Sequence, residues 1–239
     1  MKTIGILGGM GPEASVRLCQ QIIELTPAQY DQENLPFILH NLPQIPDRTK
    51  AIIENGENPI PKMLEGIQSL QSGGADFIIM PCNTAHYFIE ELQDISNAKI
   101  LSMIEETAKF VSSNYPDSEF IGLLATTGTV MSGIYQKIFR KYSINIKVPN
   151  ARTQEDLVMD AIYGKNGIKA KHKEAPRKKL ERASRELIEE GAQIIIGGCT
   201  EICLALDQKL VDFVIIDPSK IIALAAIKEA TLPELEQVI

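Results

Sequence analysis

Residues 75–83, with the sequence ADFIIMPCN, and residues 192–200, with the sequence AQIIIGGCT, follow one pattern in which an apolar run leads to a cysteine. The two segments are 117 residues apart. The same shift places residues 4–11 (IGILGGMG) on residues 121–128 (IGLLATTG). Because two unrelated segments obey one offset, the sequence indicates a duplicated half-molecule that carries one thiol at the same place in each half.

Short β-rich runs alternate with longer amphipathic stretches along the chain, which is the pattern of an α/β protein with parallel sheets. With the duplication, this order predicts two pseudo-symmetric three-layer lobes, each a mostly parallel sheet flanked by helices. We expect the first α/β lobe to comprise residues 1–103 plus 213–239, and the second to comprise residues 104–212. The active site is expected in the cleft between them, because such sheets bind ligands at the carboxyl ends of their strands. The predicted strands are residues 3–7, 37–41, 77–81, 99–101, 120–124, 145–148, 194–197 and 213–216.

The composition is that of a soluble globular protein and argues against several classes of partner. The chain has 239 residues, 44% of them apolar, and a formal net charge of −7. That charge predicts no surface for nucleic acid or for an anionic membrane. No apolar run reaches the length that spans a bilayer, and the start of the chain lacks the cleavage pattern of a secretory signal. We therefore expect a cytoplasmic protein whose four cysteines are thiols.

Cys82 and Cys199 each follow an apolar strand and precede a predicted helix, which Asn83 or Thr200 would cap. The start of a helix carries partial positive charge and free amides, which favour a thiolate. Either cysteine alone would more often be a buried core residue, but a matched pair at two strand ends favours chemistry at one carbon. The other two cysteines lie in predicted helices and are interpreted as core. No His/Cys cluster has the spacing of a metal site, so no metal is predicted.

Six short motifs follow one another along the chain: TIGILGGMGP at 3–12, PQIPDRT at 43–49, MPCNTAH at 80–86, SMIEETA at 102–108, LLATTG at 123–128 and GCTEI at 198–202. Together they resemble the aspartate racemase branch of the aspartate/glutamate racemase superfamily. The resemblance implies an isomerase that interconverts L- and D-aspartate with no cofactor, neither pyridoxal phosphate nor metal. It implies that Cys82 and Cys199 are the catalytic pair, one thiolate removing the α-proton while the opposing thiol donates a proton to the other face. It also implies a homodimer.

The predicted substrate is a small amino-dicarboxylic acid, held by loops around the two cysteines. The amides of residues 8–12, with Met10 among them, can cradle a carboxylate at a helix start, although a simple tight turn is an equal alternative. Glu201 can receive the α-ammonium or simply complement its own helix start. The resemblance implies that Arg48 and Lys169 hold the side-chain carboxylate, with Lys165 left open as the alternative to Lys169 in a Lys- and Gly-rich stretch that suits a lid. The predicted substrate-binding residues are Met10, Arg48, Asn83, Thr84, Thr127, Lys169, Thr200 and Glu201.

Three other functions stay open from the sequence. A glutamate or broad-specificity aspartate/glutamate racemase shares the first cysteine signature, but the glutamate branch typically has CTHYP where this chain has CTEI at residues 199–202. A non-catalytic two-lobed amino-acid binding protein also suits duplicated α/β halves, although it has no need of paired thiols. A thiol redox protein would join the two cysteines in a disulfide.

Overall fold

The computed structural model describes residues 1–231, whose strands form two sheets. The first sheet consists of β1 (Ile4–Gly8), β2 (Phe37–Asn41) and β3 (Phe77–Ile79), in the order β2-β1-β3. The second consists of β4 (Phe120–Leu124), β5 (Asn145–Lys147), β6 (Ile194–Gly197) and β7 (Ile215–Ile216), in the order β5-β4-β6-β7. Every pairing between these strands is parallel. The predicted α/β fold class with parallel sheets is therefore confirmed.

The two sheets repeat one strand register at the offset found in the sequence. Gly5 pairs with Ile78 in the first sheet, and Gly122 pairs with Ile195 in the second. Each residue of the second pair lies 117 positions after its counterpart. A Cβ atom on either glycine would lie 2.6 Å from the Cδ1 atom of the isoleucine, so both halves require a residue without a side chain there. The duplication extends to side-chain packing within each sheet.

Helices cover both faces of each sheet. Side chains of α3 and α4 cover one face of the first sheet, and those of α1 and α12 cover the other. In the second sheet, α5 and α7 cover one face while α9, α10 and α11 cover the other. The α-helices are α1 (Pro12–Leu25), α2 (Arg48–Ile53), α3 (Ile60–Ser72), α4 (Ile89–Ser96), α5 (Met103–Asn114), α6 (Thr127–Ser132), α7 (Ile134–Phe139), α8 (Ala151–Thr153), α9 (Asp160–Tyr163), α10 (Glu174–Glu189), α11 (Ile202–Ala205) and α12 (Pro218–Thr231). Short 3₁₀ turns lie at Asp31–Glu33, Thr84–Phe88, Arg140–Tyr142, Ile168–Ala170 and Gln208–Leu210, and a π-helical turn lies at Gln154–Met159.

The predicted elements differ from the structure mainly where they are short. Residues 99–101 contribute a single bridge between Ile78 and Ile100 in place of a strand. The helix predicted from residue 84 begins as the 3₁₀ turn Thr84–Phe88 and becomes α-helical only in α4. The sequence pattern does not predict α2 or α6, because six residues are too few to display helical periodicity.

The last strand lies on a different sheet from the one predicted. The predicted boundary assigns residues 213–239 to the first lobe, whereas β7 pairs with β6 of the second sheet. The helix after it, α12, packs against both α1 and α5. Residues 232–239 of the predicted first lobe lie outside the described residues. Apart from β7, the division into lobes stays a prediction.

A glycine just after β1 sets the path of the chain into the first loop, and its replacement tests the fold. Gly9 has a φ of +99°, and a Cβ atom there would meet the backbone of Leu42. We expect Gly9→Ala to lower the free energy of unfolding in urea by about 3 kcal/mol. Gly74→Ala is the matched control, because Gly74 has a φ of +95° but nothing within 4 Å of its Cβ position. Its loss should be about 1 kcal/mol. Equal losses would assign the effect to the φ angle alone.

Candidate active site

The two cysteine loops meet in one cavity between the sheets. Cys82 is 6% exposed and Cys199 is 7% exposed, and both line this cavity. All four cysteines are free thiols, so the structure does not contain the disulfide that a redox protein would form. The other lining residues are Met10, Asp47, Arg48, Thr49, Asn83 and Thr84, followed along the chain by Thr126, Tyr163, Lys169, Thr200 and Glu201.

The thiol cavity is nearly full. Its free volume is about 10 Å³, close to the minimum that holds one water molecule. A groove of about 1050 Å³ lies on the outer surface beside Tyr87, Ile95 and Lys137, but it contains neither thiol. The site is therefore marked by its chemistry and not by its size. An amino acid can enter only if side chains that now fill the cavity move.

His86 holds the loop that carries Cys82. The Nε2 atom of His86 accepts a hydrogen bond from the backbone N–H of Met103 at 3.0 Å. The proton of the neutral ring therefore lies on Nδ1, which donates to the carbonyl oxygen of Cys82 at 2.8 Å. The ring is fully buried, and burial lowers the pKa of His86 to about 4. His86 is thus a neutral anchor for the backbone of Cys82.

Because it is buried as a neutral ring, His86 makes the stability of the fold depend on pH. Its pKa falls from 6.5 to about 4 on folding, so the unfolded chain takes up a proton first as the pH drops. The stabilisation is complete above pH 6.5 and is lost between pH 6.5 and 4, with roughly 2 kcal/mol lost by about pH 5. Urea unfolding at about pH 7 and pH 5 measures this loss. It should be absent from His86→Gln; a loss of the same size in that variant would assign it to other groups.

Arg48, the first residue of α2, lies against Cys82. Its Nη1 atom donates to the carbonyl oxygens of Ile45 at 3.1 Å and Pro46 at 2.9 Å. Its buried Nε atom has no hydrogen-bond partner among the described residues. Burial acts to lower the pKa of Arg48, but the Cys82 sulfur and the Asp47 carboxylate raise it overall. The guanidinium therefore stays charged and keeps a donor available beside Cys82.

Polar side chains next to Cys82 connect the two halves of the molecule. The Oδ1 atom of Asn83 accepts a hydrogen bond from the Tyr135 hydroxyl at 2.6 Å, while its buried Nδ2 atom has no partner in the described part of the chain. The Thr84 hydroxyl lies 3.0 Å from that of Thr126 and 2.8 Å from that of Thr129. The prediction that Asn83 caps a helix is wrong, because its carbonyl oxygen is used across the halves and makes no cap hydrogen bond.

Thr200 likewise connects the two cysteine loops and does not cap a helix. Its hydroxyl donates to the carbonyl oxygen of Pro81 at 3.4 Å and lies 3.2 Å from Oε2 of Glu201. The helix that follows, α11, has no side-chain cap and contains only four residues. The expected helix-start effect on the neighbouring thiol is correspondingly small.

Glu201 links the second thiol to a lysine. The Cys199 sulfur donates to Oε2 of Glu201 at 3.0 Å, and the Lys169 ammonium donates to Oε1 at 2.6 Å. Burial acts to raise the pKa of Glu201, but Lys169 and Cys199 hold it below its ordinary value. Burial and the Glu201 carboxylate raise the pKa of Cys199 well above its ordinary value. Cys199 is therefore a protonated thiol in this state, contrary to the thiolate expected from a helix start.

The structure brings every predicted site residue except Thr127 to the cavity. Thr127 donates its hydroxyl hydrogen to Oε1 of Glu155 at 2.9 Å, away from the thiols. Thr126 takes its place, because as the N-cap of α6 it turns its hydroxyl inward while the next residue faces outward. Lys165 is exposed and does not line the cavity, so the geometry favours Lys169 over Lys165.

Four lining residues were not among the predicted site residues. Asp47, Thr49 and Thr126 lie within the motifs PQIPDRT and LLATTG, so those motifs could have identified them. Tyr163 ends α9 and no sequence pattern points to it. Its ring lies 5.4 Å from the Lys169 ammonium, and the residue is 42% exposed, so it forms the outer wall of the cavity.

Two kinds of feature were sought in residues 1–231 and not found. No group of three or more His, Cys, Asp or Glu side chains in this range could hold a metal ion. No helix in the same range has the length and apolar character needed to cross a membrane.

The chain resembles characterised proteins over nearly its whole length. The family model described as Asp/Glu/Hydantoin racemase matches residues 7–226. The broad specificity amino-acid racemase RacX of Bacillus subtilis (strain 168) is 30% identical over 224 residues, which cover 92% of this chain and 94% of that protein. The structure of Picrophilus torridus aspartate racemase is similar, with a TM-score of 0.86 and 33% identity over 96% of this chain and 94% of that one. A glutamate racemase from Francisella tularensis subsp. tularensis SCHU S4 shares the fold, with a TM-score of 0.65 and 16% identity over 95% of this chain and 80% of that one. The resemblance found in the motifs is confirmed, and the chain belongs to the Asp/Glu/hydantoin racemase family.

Proposed function

We propose that this enzyme interconverts L- and D-aspartate, without a cofactor, by proton transfer between Cys82 and Cys199. The observation that carries the proposal is that two thiols from equivalent strand ends of the two halves line one cavity. One sulfur removes the α-proton as a thiolate, and the other donates a proton to the opposite face as a thiol. The roles exchange for the reverse reaction, so both cysteines are required.

The charges around the two thiols support different resting states. Arg48 supplies positive charge beside Cys82, whereas Glu201 supplies negative charge beside Cys199. A proton shared by the pair therefore rests preferentially on Cys199. This asymmetry places an acid and a base in the same cavity before substrate arrives, which two-base racemisation requires.

The remaining polar groups suit an amino-dicarboxylic acid. In the proposal, Arg48 and Lys169 bind the side-chain carboxylate, and the planar guanidinium does so through two hydrogen bonds. The unpartnered Nδ2 atom of Asn83 donates to the α-carboxylate, where charge accumulates as the α-proton leaves. Glu201 receives the α-ammonium. The nearly full cavity excludes water, which strengthens each of these interactions.

The test is proton exchange at the α-carbon. Purified protein free of pyridoxal phosphate is incubated in heavy water with L-aspartate and, separately, with D-aspartate. We expect optical rotation to be lost from both samples while deuterium enters the α-position of the product enantiomer. Absence of exchange with aspartate, glutamate and related amino acids would reject the proposal and favour the amino-acid binding protein.

A broad-specificity racemase is the second candidate, and the similarity to the RacX protein over 92% of this chain favours it. The two candidates differ in how kcat/KM varies over a panel of L-amino acids. We expect an aspartate enzyme to prefer aspartate over glutamate by roughly 10- to 200-fold, the discrimination that one methylene allows. Comparable values for aspartate, glutamate and uncharged amino acids would establish the second candidate.

We also propose that the enzyme is a cytoplasmic homodimer, as the family resemblance implies. Light scattering of the purified protein should give twice the mass of one chain. The mass of a single chain at micromolar concentration would contradict the dimer.

A further inference from the structure

We propose that Glu201 is a positioning residue that neutralises Lys169 in the empty enzyme and releases it to the side-chain carboxylate of the substrate. The Glu201 carboxylate then accepts the α-ammonium of the same molecule, so one internal ion pair is exchanged for two pairs with the substrate. This inference rests on the proposed function, because it assumes that Lys169 binds the substrate.

The contacts of Glu201 use both of its oxygens. Oε1 binds the Lys169 ammonium at 2.6 Å, and Oε2 accepts from the Cys199 sulfur at 3.0 Å and lies 3.2 Å from the Thr200 hydroxyl. The Glu201 side chain is 7% exposed and that of Lys169 is 30% exposed. A buried carboxylate with this set of partners is ionised, and Lys169 is its counter-ion. The cation proposed to bind substrate is therefore already paired.

The ion pair also occupies the space that a ligand needs. The free volume of the cavity is about 10 Å³. A Cβ atom on Gly11 would lie 2.8 Å from Oε1 of Glu201 and 3.4 Å from the Lys169 ammonium. The pair thus lies against the loop that opens α1, at a helix start without a side-chain cap. A substrate carboxylate that reaches this loop displaces the carboxylate of Glu201 from Lys169.

The exchange explains how a buried site can select an amino-dicarboxylic acid. Leaving either charge of a buried pair without a partner is strongly unfavourable. A dicarboxylate without an amino group would take Lys169 and leave Glu201 unpaired. An amino acid without a side-chain carboxylate would take Glu201 and leave Lys169 unpaired. Only a ligand with both groups pairs both residues, and the rotation of Glu201 toward the ammonium also frees the Cys199 thiol to face the α-carbon.

The same arrangement holds the proton on Cys199. Burial raises the pKa of each neighbouring tyrosine and of Cys203, so these groups are neutral near pH 7. The charges that act on Cys199 are then those of Glu201 and Lys169, together with any charge on Cys82 across the cavity. The titratable groups that face the Cys199 thiol are Glu201, Lys169, Cys82, Tyr163, Tyr135 and Cys203.

The first experiment compares two ligands that differ by one amino group. Isothermal titration calorimetry measures the Kd of succinate and of L-aspartate for the wild type and for Glu201→Gln. We expect the variant to bind succinate about tenfold more tightly and L-aspartate about tenfold more weakly, since it loses one charged contact to each cation. Glu155→Gln, which changes an exposed carboxylate outside the cavity, should leave both values unchanged. Shifts of both ligands in the same direction, or of neither, overturn the exchange.

The second experiment needs no racemase activity, so it separates failure of this inference from failure of the proposed function. The rate of Cys199 alkylation by iodoacetamide is followed against pH by mass spectrometry of its peptide, in a Cys82→Ser background. Adding Glu201→Gln should move the midpoint down by about one pH unit, because Lys169 becomes the nearest charge. Glu201→Asp keeps the negative charge and should keep the midpoint near that of the parent. A midpoint that is unchanged or higher in Glu201→Gln overturns the inference, and the aspartate variant remains informative if the glutamine variant fails to fold.

Discussion

Replacement of either cavity cysteine by serine is expected to lower the rate of aspartate racemisation by about 10³-fold or more. A hydroxyl is a far weaker acid than a thiol, so serine can act neither as the resting base at position 82 nor as the matched acid at position 199. General acid and base catalysis contributes roughly 10²- to 10⁴-fold for each group, and groups that act as a unit lose nearly everything when one is removed. The rate is measured by circular dichroism at the wavelength of aspartate.

The two serine variants should also differ from each other in a way that a merely structural role does not predict. With one sulfur left, only the enantiomer whose α-hydrogen faces that sulfur can exchange with heavy water. Cys82→Ser and Cys199→Ser should therefore retain slow exchange with opposite enantiomers. Cys19→Ser is the matched control, because Cys19 packs in the core of α1 away from the cavity, and its activity should stay near that of the wild type. Residual exchange of the same enantiomer in both variants would refute the two-base arrangement.

The second large effect is expected from Arg48→Leu, which should lower kcat/KM for aspartate by about 10²- to 10³-fold. The guanidinium is the partner of the substrate carboxylate in the proposal, and each hydrogen bond to a charged group is worth about 1.5–3 kcal/mol. Arg48→Lys should recover only part of the loss, because one ammonium cannot both hold the carbonyl oxygens of Ile45 and Pro46 and grip a carboxylate.

The control for Arg48 is an arginine that has no role in the cavity. Arg152 has a side chain that is 91% exposed, and Arg152→Leu should leave kcat/KM unchanged. Urea unfolding of Arg48→Leu separates lost binding from a loosened loop, since the variant also removes two hydrogen bonds to the backbone. Full activity of a folded Arg48→Leu protein would remove Arg48 from the substrate site.

Repetition and alternation made much of the fold predictable. The offset of 117 residues predicts equivalent strands, and it reappears as the shared register of Gly5 with Ile78 and of Gly122 with Ile195. Most strands and long helices follow from apolar periodicity. The placement of β7 does not, because a two-residue strand gives no periodic pattern and its sheet is decided by pairing with β6.

The site was predictable to the level of its loops but not of its side chains. The motifs indicate the turn at residues 123–128, yet which of two adjacent threonines faces inward depends on where α6 begins. The protonation of Cys199 depends on a carboxylate 3.0 Å away and on burial, neither of which a sequence displays. Tyr163 comes to the cavity through packing of α9 alone.

The hydroxyls of Thr84, Thr126 and Thr129 lie within 2.8 to 3.1 Å of one another and join the halves at the cavity. Pulling the halves apart would break these bonds at a cost of about 1 kcal/mol each, and would widen the gap between acid and base. Displacing the half-exposed wall formed by Tyr163 breaks no such bonds. Ligands can therefore arrive through a lateral entrance while the span from sulfur to sulfur stays constant, and a reaction that must run equally well toward either mirror image depends on that constancy.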